Sequence, residues 1–274
     1  QTDAVENLDG EDKLGQPMAN LNIESGWGDI SLFALPGFRE RTFPASDARL
    51  GGPLPVTGGA TYDSRAEDKR ADFAIRWAKT LGSWDIGLSH FSGTSREPRL
   101  IPGFDGGGQP VLTPHYDVIE QTGLDLQLTT ERWLWKLEAI NRAGHGNRFV
   151  AATGGFEYSF YGVFGTDADL GLIVEYLYDG RDENGQAPYT AMQDDFFAGA
   201  RLALNDEQSM EILAGAIVDR ESGATLVSVE ASRRLSDRWK LELEGRFFAD
   251  IPQDDPLVAI ASDDHVTVRL SLYF

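Results

Sequence analysis

From residue 71 onward, apolar residues fall on every second position. Ala71, Phe73, Ile75 and Trp77 alternate with Asp72, Ala74, Arg76 and Ala78, and beyond a turn at 80–83 Trp84, Ile86 and Leu88 alternate with Asp85, Gly87 and Ser89. Successive side chains of a strand point to opposite faces, so this period of two predicts strands with one apolar and one polar face. The same reading carries on. Val118, Leu124, Leu126 and Leu128 lead through a turn at 129–132 into Trp133, Trp135, Leu137 and Ala139. Val150, Ala152, Phe156, Tyr158 and Phe160 are followed by Leu170, Leu172, Val174, Tyr176 and Tyr178. Phe196 to Leu204 turns at 205–208 into Met210 to Val218, and Val227 to Ala231 turns at 236–238 into Trp239, Leu241, Leu243 and Phe247.

Between these segments lie Gly-, Pro- and charge-rich stretches at 36–70, 93–115, 179–194 and 250–264, which read as loops. A first strand falls within 21–35, where Gly26 and Gly28 interrupt the alternation as a bulge would. Residues 1–20 are polar and acidic and read as a mobile N-terminal arm, leaving 21–274 as a single β domain. The count is about twelve antiparallel strands, mostly about 9–12 residues long, the length a tilted strand needs to cross a bilayer. Short turns alternate with mostly longer connections. If the short turns are periplasmic, both ends of the chain and the N-terminal arm fall on the periplasmic side, and the longer loops are extracellular.

The final segment is the most regular. Val266, Val268, Leu270, Leu272 and Phe274 take one face, and His265, Thr267, Arg269, Ser271 and Tyr273 the other. This resembles the C-terminal strand of Gram-negative outer-membrane β-barrels, porin-like proteins among them, which typically ends in phenylalanine and is read by the barrel-assembly machinery. The resemblance implies an all-β, transmembrane, up-and-down barrel in the bacterial outer membrane, in contact with lipid and lipopolysaccharide. Trp77, Trp84, Trp133, Trp239, Phe160 and Phe274 stand at strand ends next to short turns, as an interfacial girdle would place them. A soluble sandwich or lipocalin-like barrel shares the alternation but usually has an apolar interior.

Composition narrows the function. A net charge of −20 excludes a nucleic-acid partner, and the absence of cysteine excludes disulfides and thiolate metal sites. No apolar run approaches the roughly 18–20 residues of a membrane helix, which leaves strands free to cross. A mean hydropathy of −0.30 is no argument for solubility when the apolar surface is spread over alternate residues. Much of the acid excess lies in the arm and loops, at Asp3, Glu6, Asp9, Glu11, Asp12, Asp182, Glu183, Asp194, Asp195, Asp254, Asp255, Asp263 and Asp264.

With the apolar face toward lipid, the opposite face lines the lumen. It carries Arg76, Asp85, Asp125, Lys136, Glu138, Arg142, Glu175, Arg201, Glu211, Glu230, Lys240, Glu242, Glu244, Arg246 and Arg269, with Asp72 and Glu157 beside them. Charges cannot sit in a dry core unpaired, so they pair with one another or face water. The expected function is passive passage of small hydrophilic solutes, with no cofactor. The rival is a barrel closed by cross-lumen ion pairs, acting as scaffold or assembly partner of another envelope protein. Arg39 and Arg41, after the first strand, are candidates for a constricting loop. A third reading rests on His90-Phe-Ser92, which is similar to the His-x-Ser pair of the outer-membrane phospholipase A family. That resemblance implies His90 and Ser92 as catalytic residues; the asparagine that orients the family's histidine has no counterpart in the next strand, where Asp117 or Glu120 would have to serve. The four histidines show no metal-ligand spacing, and no metal is expected.

Overall fold

The computed structural model describes residues 13–48, 51–182, 185–253 and 255–274. Residues 1–12 of the N-terminal arm, with Glu183 and Asp254, lie outside the described residues. The chain is all-β. Its strands are β1 (Ala19–Ile23), β2 (Asp29–Pro36), β3 (Thr61–Tyr62), β4 (Ala71–Leu81), β5 (Trp84–Thr94), β6 (Arg99–Phe104), β7 (Pro110–Tyr116) and β8 (Val118–Thr129). They continue with β9 (Trp133–Gly144), β10 (Gly146–Phe160), β11 (Asp169–Asp179), β12 (Asp194–Ala203), β13 (Glu211–Asp219), β14 (Thr225–Arg234), β15 (Trp239–Ala249) and β16 (His265–Leu272). Thirteen strands form one sheet in the order β1-β2-β4-β5-β8-β9-β10-β11-β12-β13-β14-β15-β16, and β3, β7 and β6 form a small second sheet. Among the described residues the large sheet is not closed into a barrel.

The chain divides into two units. One takes the chain up to Asp125 together with Ala139–Ala151 and Gly180–Thr190, and the other takes Leu126–Glu138, Ala152–Asp179 and Ala191–Phe274. In the second unit the registers keep the two faces separate from strand to strand. Val174 pairs with Ala198, Ala198 with Ala216, Ala216 with Val227, Val227 with Phe247, and Leu243 with Val268. On the other face Ser228 pairs with Arg246, and Glu242 with Arg269. A slip of one residue would exchange the faces, so the alternation itself fixes this register. The first unit obeys the same rule: Ile30 pairs with Trp77 and Trp77 with Leu88, while Ser31 pairs with Arg76 and Arg76 with Ser89.

The exposure of the two faces is inverted relative to a water-soluble sheet. Phe73 is 58% exposed, Leu88 47%, Val268 62% and Leu270 54%, whereas Asp72 is wholly buried. Among the described residues few large apolar side chains are buried, Phe38, Tyr116 and Phe149 among them.

Three expectations need correction. The first strand is a hairpin: Ala19 pairs with Ala34 and Ile23 with Ile30. Gly26 and Gly28 make its turn, closed by Gly28 N donating to the Ser25 carbonyl at 3.1 Å, and do not form a bulge. Gly28 has φ +136°, and a Cβ there would strike the Trp77 indole. Second, the described end of the arm does not stand at the short-turn end of its unit. Gln16 Nε2 donates to the Gly37 carbonyl at 3.0 Å, beside the long connection that follows β2. Third, the stretch 93–115 is not a loop throughout. Gly93 and Thr94 complete β5, and β6 and β7 form a hairpin whose Pro102 and Pro110 sit in a small, short-stranded sheet.

Candidate functional site

The predicted lining residues share the charged face and are extensively paired. In the second unit Glu230 stands opposite Glu244, a repulsive pairing that Arg246 resolves: its Nη2 lies 2.8 Å from Glu230 Oε1 and 3.1 Å from Glu244 Oε1. Lys240 Nζ reaches Glu242 Oε1 at 2.8 Å, and Arg201 pairs with Glu157. Glu175 lies opposite Phe197, Glu211 opposite Ser232, and Lys136 and Glu138 stand exposed two residues apart on β9. In the first unit Arg76 pairs with Asp125, both side chains remaining over two-fifths accessible at 43% and 42%, and Thr80 Oγ1 donates to Asp85 at 2.6 Å.

Toward the long connections of the first unit this face becomes buried. Asp72 accepts from the Thr94 backbone N–H at 2.9 Å, from Arg96 Nη1 at 2.7 Å and from Arg70 Nε at 3.2 Å. Three donors, two of them cationic, are what a buried carboxylate needs. Arg96 lies over the rings of Phe38 and Phe91, at 5.3 and 5.1 Å from their centroids, and also donates to Gln16 Oε1 at 3.0 Å. Arg142 and Arg181 converge on Glu97 Oε2 at 2.8 and 3.4 Å and flank the Phe149 ring. Burial alone would raise the Glu97 carboxyl, but these two guanidinium groups hold it below the usual range.

A second cluster surrounds Asp117, which is 3% exposed. Arg99 Nη2 and Nε clasp its carboxylate at 2.6 and 2.9 Å. His115 Nε2 lies 3.2 Å from Asp63 Oδ1 and 3.6 Å from Asp117 Oδ1, while His115 Nδ1 lies 2.8 Å from Thr61 Oγ1. On the other side, His145 Nε2 is 3.7 Å from Asp117 Oδ2. The His145 side chain is completely buried, and neither ring nitrogen has a hydrogen-bond partner among the described residues. Burial, with the nearby Arg142 charge, pushes its pKa down to about 4, so the imidazole is neutral at pH 7.

Of the other candidates, Arg39 is exposed and its Nη1 donates to the Gly15 carbonyl at 3.2 Å, and the backbone N–H of Arg41 donates to the Tyr116 hydroxyl at 2.8 Å. The buried anchor of that loop is Phe38, packed against Tyr116 and Tyr62 with centroids at 4.7 and 6.1 Å. His90 and Ser92 meet through Glu120 rather than through each other. Ser92 Oγ donates to Glu120 Oε1 at 2.6 Å, His90 Nε2 lies 3.1 Å from Glu120 Oε2, and His90 Nδ1 lies 3.0 Å from Thr122 Oγ1. The Glu120 carboxylate stands between the two side chains, and among the described residues no hydrogen bond joins Ser92 Oγ to the His90 ring.

The sequence reading placed the charged face but not the Asp117 cluster. Its members are spread over three connections, and the one local signal is Gly144-His145-Gly146, with both glycines at positive φ, +110° and +67°. That tight turn between β9 and β10 directs the imidazole inward. Comparison of the chain with protein-family models, with curated proteins and with solved structures finds no match.

Proposed function

We propose that the chain is an outer-membrane β-barrel whose charged face lines a water-filled passage for small hydrophilic solutes. One observation carries the reading: large apolar side chains such as Phe73, Leu88, Val268 and Leu270 stand exposed, while Asp72 and Glu157 on the charged face are buried. So extensive an apolar surface is not left bare in water, and lipid is the solvent that matches it. The aromatic cluster beside the short turn between β8 and β9 fits the same reading. Trp133 and Trp135 stack at 5.3 Å, and Trp133 meets Tyr158 at 4.6 Å and Phe156 at 5.2 Å, as residues of an interfacial belt would.

An open sheet edge cannot persist in hydrocarbon, so the barrel closes in the bilayer. Paired charges that stay over two-fifths accessible, as Arg76 and Asp125 do, are suited to a wet lining. The buried, ion-paired region around Asp72 and Glu97 favours a second reading, in which the passage is shut and the protein serves as a scaffold for another envelope protein. Single-channel recording of the refolded protein in a planar bilayer under a salt gradient separates the two. Discrete openings with a reversal potential support the channel, and silence in demonstrably inserted protein supports the scaffold.

A further inference from the structure

We infer that Asp63, His115, Asp117 and His145 form a binding site for one divalent transition-metal ion of the zinc class. Asp63, His115 and Asp117 each offer a ligand atom, all within 4.8 Å of one another. Tetrahedral Zn²⁺ with bonds of about 2.0–2.1 Å needs ligand atoms separated by about 3.3 Å. His115 Nε2 stands 3.2 Å from Asp63 Oδ1 and 3.6 Å from Asp117 Oδ1. Three acceptors at such spacing could be a plain ion-pair cluster. His145 argues against that.

His145 is wholly buried, has no hydrogen-bond partner for either ring nitrogen among the described residues, and brings Nε2 to within 3.7 Å of Asp117 Oδ2. A buried imidazole with both nitrogens unsatisfied carries a desolvation cost that no hydrogen bond among the described residues offsets. A metal bound beside Asp117 offsets it once the His145 ring, which stands outside the 4.8 Å group, turns toward the ion.

The surroundings match what a metal site requires. Thr61 Oγ1, 2.8 Å from His115 Nδ1, takes the proton of that nitrogen and leaves Nε2 as the ligand, while the Thr61 hydroxyl donates onward to the Pro114 carbonyl at 3.4 Å. The Val118 backbone N–H orients Asp63 by donating to its Oδ2 at 3.2 Å. Arg99 is the opposing element, because its guanidinium already engages both Asp117 oxygens. A carboxylate has about four lone-pair directions, so Arg99 and a metal can share it, with affinity moderated by the neighbouring positive charge. Two imidazoles in the donor set select zinc-class ions over Ca²⁺ and Mg²⁺, which take oxygen.

The test is titration of Zn²⁺ into the refolded, chelator-treated full chain in detergent by calorimetry, with Co²⁺ absorption as the geometric readout. The expected result is one saturable equivalent, a d–d spectrum of low-coordinate Co²⁺, and no displacement by excess Ca²⁺. His115→Gln and His145→Gln are expected to weaken binding by more than the roughly 10–100-fold typical of losing an outer-shell partner. Asp63→Asn, at a half-exposed position, gives a ligand variant that keeps the fold if the buried substitutions do not. Absence of a saturable equivalent overturns the inference. So does binding that Ca²⁺ displaces, or that Asp63→Asn and His115→Gln leave unchanged, since the acidic loops would then account for it.

Discussion

Asp72 and Gly93 face each other across β4 and β5, and the space a Cβ would need at position 93 is filled by the Asp72 carboxyl. The carboxylate can then turn toward Arg96, Arg70 and the Thr94 N–H without competition for volume. Gly93→Ala is therefore expected to destabilise the fold by about 1–3 kcal/mol, the usual cost of overpacking. Asp72→Ala, which strands two guanidinium groups in a buried site, should cost about 3–5 kcal/mol. Urea midpoints of the protein folded in lipid vesicles measure both, and equal, negligible shifts would refute the packing argument.

Glu97 supplies the pH dependence. Arg142 and Arg181 hold its carboxyl below the ordinary value of 4.5 in the folded chain. A depressed folded-state pKa contributes stability that is present above the unfolded value and lost as pH falls through the folded one. Glu97→Gln should lower the unfolding temperature at pH 7, and the gap between variant and parent should narrow below about pH 4.5. A gap that stays constant down to pH 3 would mean that the carboxylate charge is not what holds the two arginines.

Val268 and Thr267 test the solvent of each face. Val268 pairs with Leu243 on the apolar side, and Thr267 with Glu244 on the charged side. In a bilayer, Val268→Arg is expected to cost about 2–4 kcal/mol if it lies near the midplane, falling toward the interfaces. Thr267→Arg, which sets a cation against Glu244, should be neutral within about 0.5 kcal/mol or slightly stabilising. Folding titrations into vesicles give the two values, and a reversed order would put the lipid on the wrong face.

The large-sheet strands from β4 onward were legible because each keeps one apolar face: a one-residue slip would mix the two faces, and that constraint shows as alternation. β1 was harder to place. Ala19, Leu21 and Ile23 alternate on odd positions and Ile30, Leu32 and Ala34 on even ones, a change of phase that a turn at Gly26–Gly28 explains better than a bulge. β6 and β7 were hidden by Pro102 and Pro110, which break the strand composition but are accommodated in a small, short-stranded sheet. The lining residues could be listed from parity, since parity is a local property. Their partners could not, because Arg76 finds Asp125 on another hairpin, and His115 and His145 approach Asp117 from different connections.

Arg76 and Asp125 give the sharpest test of the passage. The two pair across the charged face, with Gly87 leaving the room they occupy, and each remains over two-fifths accessible at 43% and 42%. A pair this exposed contributes only about 0–1 kcal/mol to stability, so either partner can be removed without unfolding the chain. Its effect on permeation is larger, because an unpaired charge on a narrow wall acts directly on passing ions. Asp125→Asn leaves the Arg76 cation uncompensated and should move the reversal potential toward anion preference. Arg76→Gln exposes the carboxylate and should move it toward cation preference. The double variant should return close to the parent, because the two changes cancel at one place on the wall. Shifts of the same sign, or none in either single variant of a conducting protein, would remove these residues from the lining.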